Sequence, residues 1–106
     1  MFELTIASAI LVAAFQTAAA DGARTALRTC IKQAGVEAKS AKVTNDGFTA
    51  FVRQKCSAQE TSFKSAVWAF DSKNKVSKKQ SESDAELQVE DFVAVAADKY
   101  VADPPN

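Results

Sequence analysis

Apolar residues recur at helical spacing in three separate stretches of this chain. In the first stretch they fall three and four residues apart, which is the pattern of one helical face. They are Ala23, Ala26, Leu27, Cys30, Ile31 and Ala34. Gly35 follows and can cap a helix at its C-terminal end. The helix formers after Gly35 also allow the helix to continue to about Lys42.

The second stretch follows a break in the apolar pattern at residues 44–47, where Thr44 or Asn45 can cap a helix. One long face is apolar, with Gln59 and Ala66 beside it. It consists of Phe48, Val52, Cys56, Phe63, Val67 and Phe70. At about 100° per residue these positions cluster on one side, which predicts a single long helix.

The third helix is predicted to start near Ser83, because Ser83 and Glu86 have the spacing of a capping box. Pro104 and Pro105 are expected to stop it. Its apolar face consists of Ala85, Val89, Phe92, Val93, Ala96 and Tyr100. We therefore expect an all-α fold, either a small helical bundle or a helical hairpin with a third helix.

Trp68 lies on the side of the second helix opposite the apolar face. Its neighbours there are all small: Ala50, Ala58, Thr61, Ser65, Ala69 and Ser72. Small residues permit close helix approach, so the third helix is expected to cover Trp68. The alternative is that Trp68 is an exposed anchor for a partner, since Trp is enriched in binding hot spots.

Composition fits one globular domain, with 47% hydrophobic and 25% charged residues among 106. The first 20 residues differ from the rest, because they are apolar and end in Ala18-Ala19-Ala20. This pattern predicts a signal peptide cleaved after Ala20, a mature domain of residues 21–106 and a periplasmic or secreted location. Against cleavage, the start lacks basic residues and Glu3 is acidic. A retained envelope anchor, a transmembrane helix and a helix of the fold are the alternatives.

Cys30 and Cys56 both lie on apolar stripes, and the chain has no other cysteine. In an exported chain two cysteines most simply form one disulfide, which would staple the small domain. The alternative is two buried thiols in a cytosolic helix pair. Zinc is not expected, because the chain has no second cysteine pair and no histidine.

Charge is unevenly placed along the chain. Residues 24–79 contain twelve basic and four acidic residues, a net of +8, whereas residues 80–106 contain seven acidic residues and one lysine, a net of −6. The simplest use is internal, with the acidic helix beside the basic part of the chain. The alternative is a basic face for lipid headgroups, lipopolysaccharide or another anionic partner. The net charge of zero gives no reason to expect nucleic acid binding.

Residues 71–82 resemble a calcium loop in length and in their terminal Asp71 and Glu82. Lysines occupy the third and fifth positions, where an EF-hand needs oxygen ligands, so we expect no calcium binding. The segment is interpreted as a connector between helices. Its four lysines, with Trp68, are the predicted partner-binding residues: Lys73, Lys75, Lys78 and Lys79.

Catalytic chemistry has little support, because the chain lacks histidine, the commonest general base. One carboxylate cluster is present, at Asp84, Glu86, Glu90 and Asp91. Acidic residues near a helix N-terminus are stabilised by the helix dipole, which explains the cluster without catalysis. An enzyme using carboxylates is therefore only a distant alternative. The sequence predicts an exported protein, without a cofactor, that binds an unidentified protein or an anionic envelope component.

Overall fold

The computed structural model describes the backbone of residues 2–103 and the side chains of residues 18–103. This part is all-α, as predicted. Its elements are α1 (Phe2–Ser40), α2 (Asn45–Lys55), α3 (Ser57–Asp71), a 3-10 turn (Ser72–Asn74) and α4 (Lys78–Ala102).

The helices form an up-down-up bundle in which α2 and α3 together make the descending arm. The predicted disulfide is present and joins Cys30 of α1 to Cys56, between α2 and α3. Parallel packing of α1 and α4 is shown by the ion pair of Lys39 with Asp103 and, about four turns earlier, the hydrogen bond from Arg24 to Gln88.

The core is formed by the three predicted apolar faces. Its buried residues are Leu27, Ile31, Ala34, Ala38, Phe48, Val52, Cys56, Phe63, Val67, Ala85, Val89, Val93 and Tyr100. Ala26 was expected in the first stripe but is exposed. Ala38 takes part instead, because α1 continues beyond Gly35 and adds another turn to the stripe.

The alternative that α1 continues past Gly35 is correct, and Gly35 does not cap it. Lys42 ends the helix in the left-handed conformation, with φ of 55°. The Val43 N–H donates to the Ala38 carbonyl at 3.0 Å, and the Lys42 N–H donates to the Lys39 carbonyl at 3.2 Å. This pair of bonds is a Schellman cap, which satisfies carbonyls at the helix end.

The predicted single second helix is interrupted at Cys56, whose φ of −107° and ψ of 17° depart from helical values. The interruption is one residue long. The Cys56 N–H still donates to Val52 and its carbonyl still accepts from Glu60, at 3.0 and 2.9 Å. The apolar face therefore continues across it, from Phe48 to Val67.

The prediction that the third helix starts near Ser83 is wrong, because α4 begins at Lys78. Ser77 is the N-cap, and its hydroxyl accepts a hydrogen bond from the Gln80 N–H at 3.1 Å. Ser77 and Gln80 have the same spacing as the pair proposed to start the helix. Because Ser77 caps the first turn of α4, Ser83 lies inside the helix, where it is exposed.

The predicted signal peptide falls mostly outside the residues whose side chains are described. The backbone of α1 passes without a break through Ala20, the predicted cleavage point. In the described part of the chain, no helix has both the length and the apolar character needed to cross a membrane.

Candidate functional site

Trp68 is half-buried, and the expectation that α4 covers its side of the descending arm is wrong. Every small residue predicted to admit a packed helix there is exposed, from Ala50 to Ser72. The helices α1 and α4 pack instead against the face that carries Phe63 and Val67. The small-residue side therefore faces solvent.

The segment between α3 and α4 is residues 72–77, shorter than the predicted connector of residues 71–82. The four lysines of residues 71–82 are all exposed. Lys73 lies in the 3-10 turn, Lys75 adopts a left-handed conformation with φ of 61°, and Lys78 and Lys79 open α4. None of them takes part in the ion pairs found among the described residues. The partner-binding role of these lysines and of Trp68 stays a prediction.

The charge asymmetry has an internal use, as expected. Glu86 of α4 is paired with Arg53 of α2 and Lys64 of α3, and Asp103 with Lys39 of α1. Each pair joins the basic part of the chain to the acidic part. The carboxylate cluster is thus divided, because Glu86 is a structural partner while Glu90 is exposed.

Glu60 completes this network and was not identified from the sequence. Its residue is only 8% exposed, and Arg53 donates to both of its carboxylate oxygens, at 2.8 and 3.4 Å. The bond to Glu60, followed by that to Glu86, raises the pKa of Arg53 above its ordinary value. The hydrogen bond from Lys64, assisted by that from Arg53, lowers the pKa of Glu86. The network joins α2, α3 and α4 through paired charges, so it serves to orient the three helices against one another.

A groove of about 690 Å³ runs between α1 and α4 and was not predicted. Its floor is apolar, with the Phe48 and Tyr100 rings stacked at a centroid distance of 4.4 Å. Val36 on one lip and Val95 on the other are each 56% exposed. The apolar floor residues are Ile31, Gly35, Phe48, Phe92, Ala96 and Tyr100.

Tyr100 fixes the groove floor through hydrogen bonds to the backbone near the C-terminal end of α1. Its hydroxyl donates to the Val43 carbonyl and lies 3.3 Å from the Ala38 carbonyl. A phenol oriented by backbone acceptors fixes the ring that it carries. The floor is therefore a preformed surface.

Cations line the groove on both sides. Arg28, Lys32 and Lys39 follow one another along α1 at spacings that keep them on one helical face, and Lys99 lies opposite on α4. The Arg28 guanidinium lies 5.4 Å from the Phe92 ring centroid. Asp103 is the one acidic residue of the lining, and it is paired with Lys39 at 2.6 Å.

Two of these cations, Lys32 and Lys99, are exposed and enter no ion pair within residues 18–103. A groove with an apolar floor and cationic lips can hold an occupant that is apolar on one side and negatively charged at its edges. This wall was missed from the sequence, although the four-residue spacing of Arg28 and Lys32 could have indicated a cationic helix face. Only the packing of α4 beside it makes that face one wall of a groove.

Metal coordination is not indicated in the described part of the chain, where no group of three potential Cys, Asp or Glu ligands comes together. No protein-family model, curated protein or solved structure gives a significant match to the chain.

Proposed function

We propose that this is an exported, disulfide-stapled helical protein that acts by binding, and that its binding surface is the groove between α1 and α4. The observation that carries the proposal is the groove: exposed valines and an apolar floor lie beside Lys32 and Lys99, which enter no ion pair among residues 18–103. Such a surface suits a partner with an apolar face and negative charge.

Two observations support export. A disulfide persists in oxidising compartments, and Cys30 and Cys56 form one. Among the described side chains of the predicted signal peptide, Ala18 and Ala19 are exposed and only Ala20 is buried. Cleavage after Ala20 would leave the core from Leu27 onward intact.

Mass spectrometry of the protein recovered from an exporting host tests this part of the proposal. We expect a chain that begins at Asp21 and has no thiol available for alkylation. A full-length chain with two alkylatable thiols, found in the cytoplasm, would contradict export.

The second candidate is an envelope-associated protein held by a retained N-terminal segment. The observation in its favour is the unbroken course of α1 from Phe2 to Ser40. A full-length, oxidised chain recovered with the envelope fraction would select this candidate over the cleaved form.

Binding in the groove can be tested with anilinonaphthalene sulfonate, an anionic aromatic probe whose fluorescence rises in apolar surroundings. Gly35 lies on the groove floor, and a Cβ placed there would meet only Phe48 Cζ, at 3.9 Å. Gly35→Leu therefore fills the groove without a steric clash at the first added carbon. We expect saturable binding to the native protein and loss of most of it in Gly35→Leu.

Gly22→Leu is the matched control, because it makes the same change in the same helix where a Cβ would meet nothing within 4 Å. Gly22 is outside the groove lining, so this variant should bind the probe as the native protein does. Equal binding by all three proteins would place the probe elsewhere and contradict the proposal.

A further inference from the structure

The outward face of α4 carries an apolar line with acidic edges, which we call the acidic stripe. Leu87, Ala94 and Val101 are spaced seven residues apart, so they follow one another along the helix. Leu87 and Val101 are 56% and 54% exposed. The acidic members of the stripe are Glu90, Asp91 and Asp98, all of them exposed.

This stripe has no function within the described fold. The core side of α4 is formed by Ala85, Val89 and Val93, and the stripe lies on the other side of the helix. None of its three acidic residues takes part in an ion pair among residues 18–103. Its charge and apolar surface are therefore available to a partner.

The stripe and the groove are complementary in apolar surface and in charge. The large aliphatic residues most exposed among those described are Val36 and Val95 at the groove, and Leu87 and Val101 on the stripe. Cations line the groove, whereas the stripe is acidic.

The two surfaces also agree in length. The stripe spans 15 residues of α4, from Leu87 to Val101, or about 21 Å, and the cations from Arg28 to Lys39 span about 16 Å of α1. An occupant such as a fatty acid carries its charge at one end only. A helix with acidic edges carries charge along its length and can face Arg28, Lys32 and Lys99 together.

We propose that the groove receives the acidic stripe of a second copy of this chain. This inference rests on the proposed function, because it names the partner of the same groove. The recognition is that of a helix in a groove, with apolar contacts in the centre and charge pairs at the rims. The interface joins two unlike surfaces, so association continues from copy to copy unless it closes into a ring or a reciprocal pair.

Sedimentation velocity of the oxidised protein recovered from an exporting host, over the micromolar to millimolar range, tests the proposal. We expect concentration-dependent association that weakens as salt is added, because the rim pairs are exposed and are screened. Lys32→Glu with Lys99→Glu makes the groove acidic, and Glu90→Lys with Asp98→Lys makes the stripe basic. Each double variant alone should need a protein concentration about tenfold higher or more to associate, because like charges then meet.

Mixing the two double variants is the decisive step. In the mixture, the acidic groove of one variant meets the basic stripe of the other, and the unchanged surfaces also match. Association should return to the level of the native protein. Lys42→Glu with Lys55→Glu, and Asp46→Lys with Glu82→Lys, make the same changes in net charge outside both surfaces, at exposed residues that do not line the groove. Both should associate as the native protein does.

A native protein that stays monomeric throughout this range, or variants that do not recover on mixing, would overturn the proposal. The sulfonate probe separates this failure from that of the proposed function. If the probe still binds and Gly35→Leu abolishes its binding, the groove is a binding site for another occupant, either an anionic amphiphile or a different acidic helix. If the probe does not bind, both proposals fail.

Discussion

At the scale of single residues, Glu86 is the acceptor on which cations from two other helices converge. Arg53 Nη2 lies 2.6 Å from one of its oxygens, and Lys64 donates to the other. The sequence shows Glu86 only as one of several acids near a helix start. The sequence does not show its two partners, because Arg53 and Lys64 are 33 and 22 residues away along the chain.

We expect Glu86→Gln to lower the free energy of unfolding by about 1 to 2 kcal/mol at neutral pH, because it removes charge-assisted hydrogen bonds from a half-buried site. The folded state lowers the pKa of Glu86, so its contribution is present above the ordinary value of 4.5 and is lost as pH falls through the folded pKa. Urea unfolding of both proteins across the acid range should therefore show a difference that vanishes at low pH.

Glu90→Gln is the control for this prediction. Glu90 lies one turn further along α4, is exposed and enters no ion pair among the described residues. Its substitution should leave stability within a few tenths of a kcal/mol of the native value. A difference between native and Glu86→Gln proteins that persists unchanged into strong acid would show that Glu86 acts by packing and not by charge.

At the scale of elements, helix ends depend on caps that short sequence motifs indicate only in part. Gly35 and Ser83 both have the residue type of a cap, and neither acts as one. The observed ends use Lys42 in a left-handed conformation and Ser77 as an N-cap. Gly35 continues the helix because its neighbours are good helix formers, and glycine in a helix costs only about 1 kcal/mol relative to alanine.

Lys42→Gly should stabilise the protein by about 1 kcal/mol, because glycine adopts the left-handed conformation without the steric cost that a side chain incurs. Thermal unfolding measures the effect as a rise in Tm. Lys32→Gly is the matched control in the interior of α1, where it should destabilise by about 1 kcal/mol. A fall in Tm for Lys42→Gly would mean that the lysine side chain contributes more than the conformation costs.

At the scale of the whole molecule, one covalent bond joins the first helix to the junction of the descending arm. The disulfide spans 26 positions in sequence, and Cys56 is fully buried in the core. A small domain gains from such a staple because its core alone provides a narrow margin of stability.

Reduction of the disulfide should lower the free energy of unfolding by about 3 to 4 kcal/mol, the chain-entropy value for a loop of this length. Guanidinium unfolding with and without dithiothreitol measures the loss. The double variant Cys30→Ala with Cys56→Ala should be as unstable as the reduced protein, and dithiothreitol should not change its free energy of unfolding. Equal stability of the native protein in both conditions would show that the bond does not constrain the unfolded chain.

The sequence by itself determined the all-α class, most of the core and the cysteine pairing. Helical periodicity is a local property, so the apolar faces containing Leu27, Phe48 and Val89 are visible within a few turns. The pairing of Cys30 with Cys56 was predicted for an exported chain, where each is the other's sole candidate, and two buried thiols were the alternative.

Only the tertiary structure decided which faces meet and which stay open. It left the small-residue side of Trp68 uncovered, brought Glu60 and Glu86 to one arginine, and set α1 beside α4 with a groove between them. Lys32 and Lys99 border that groove from helices far apart in sequence. A periodic pattern indicates that a face is apolar or charged. It does not indicate which helix packs against that face, because the packing of the whole core selects that helix.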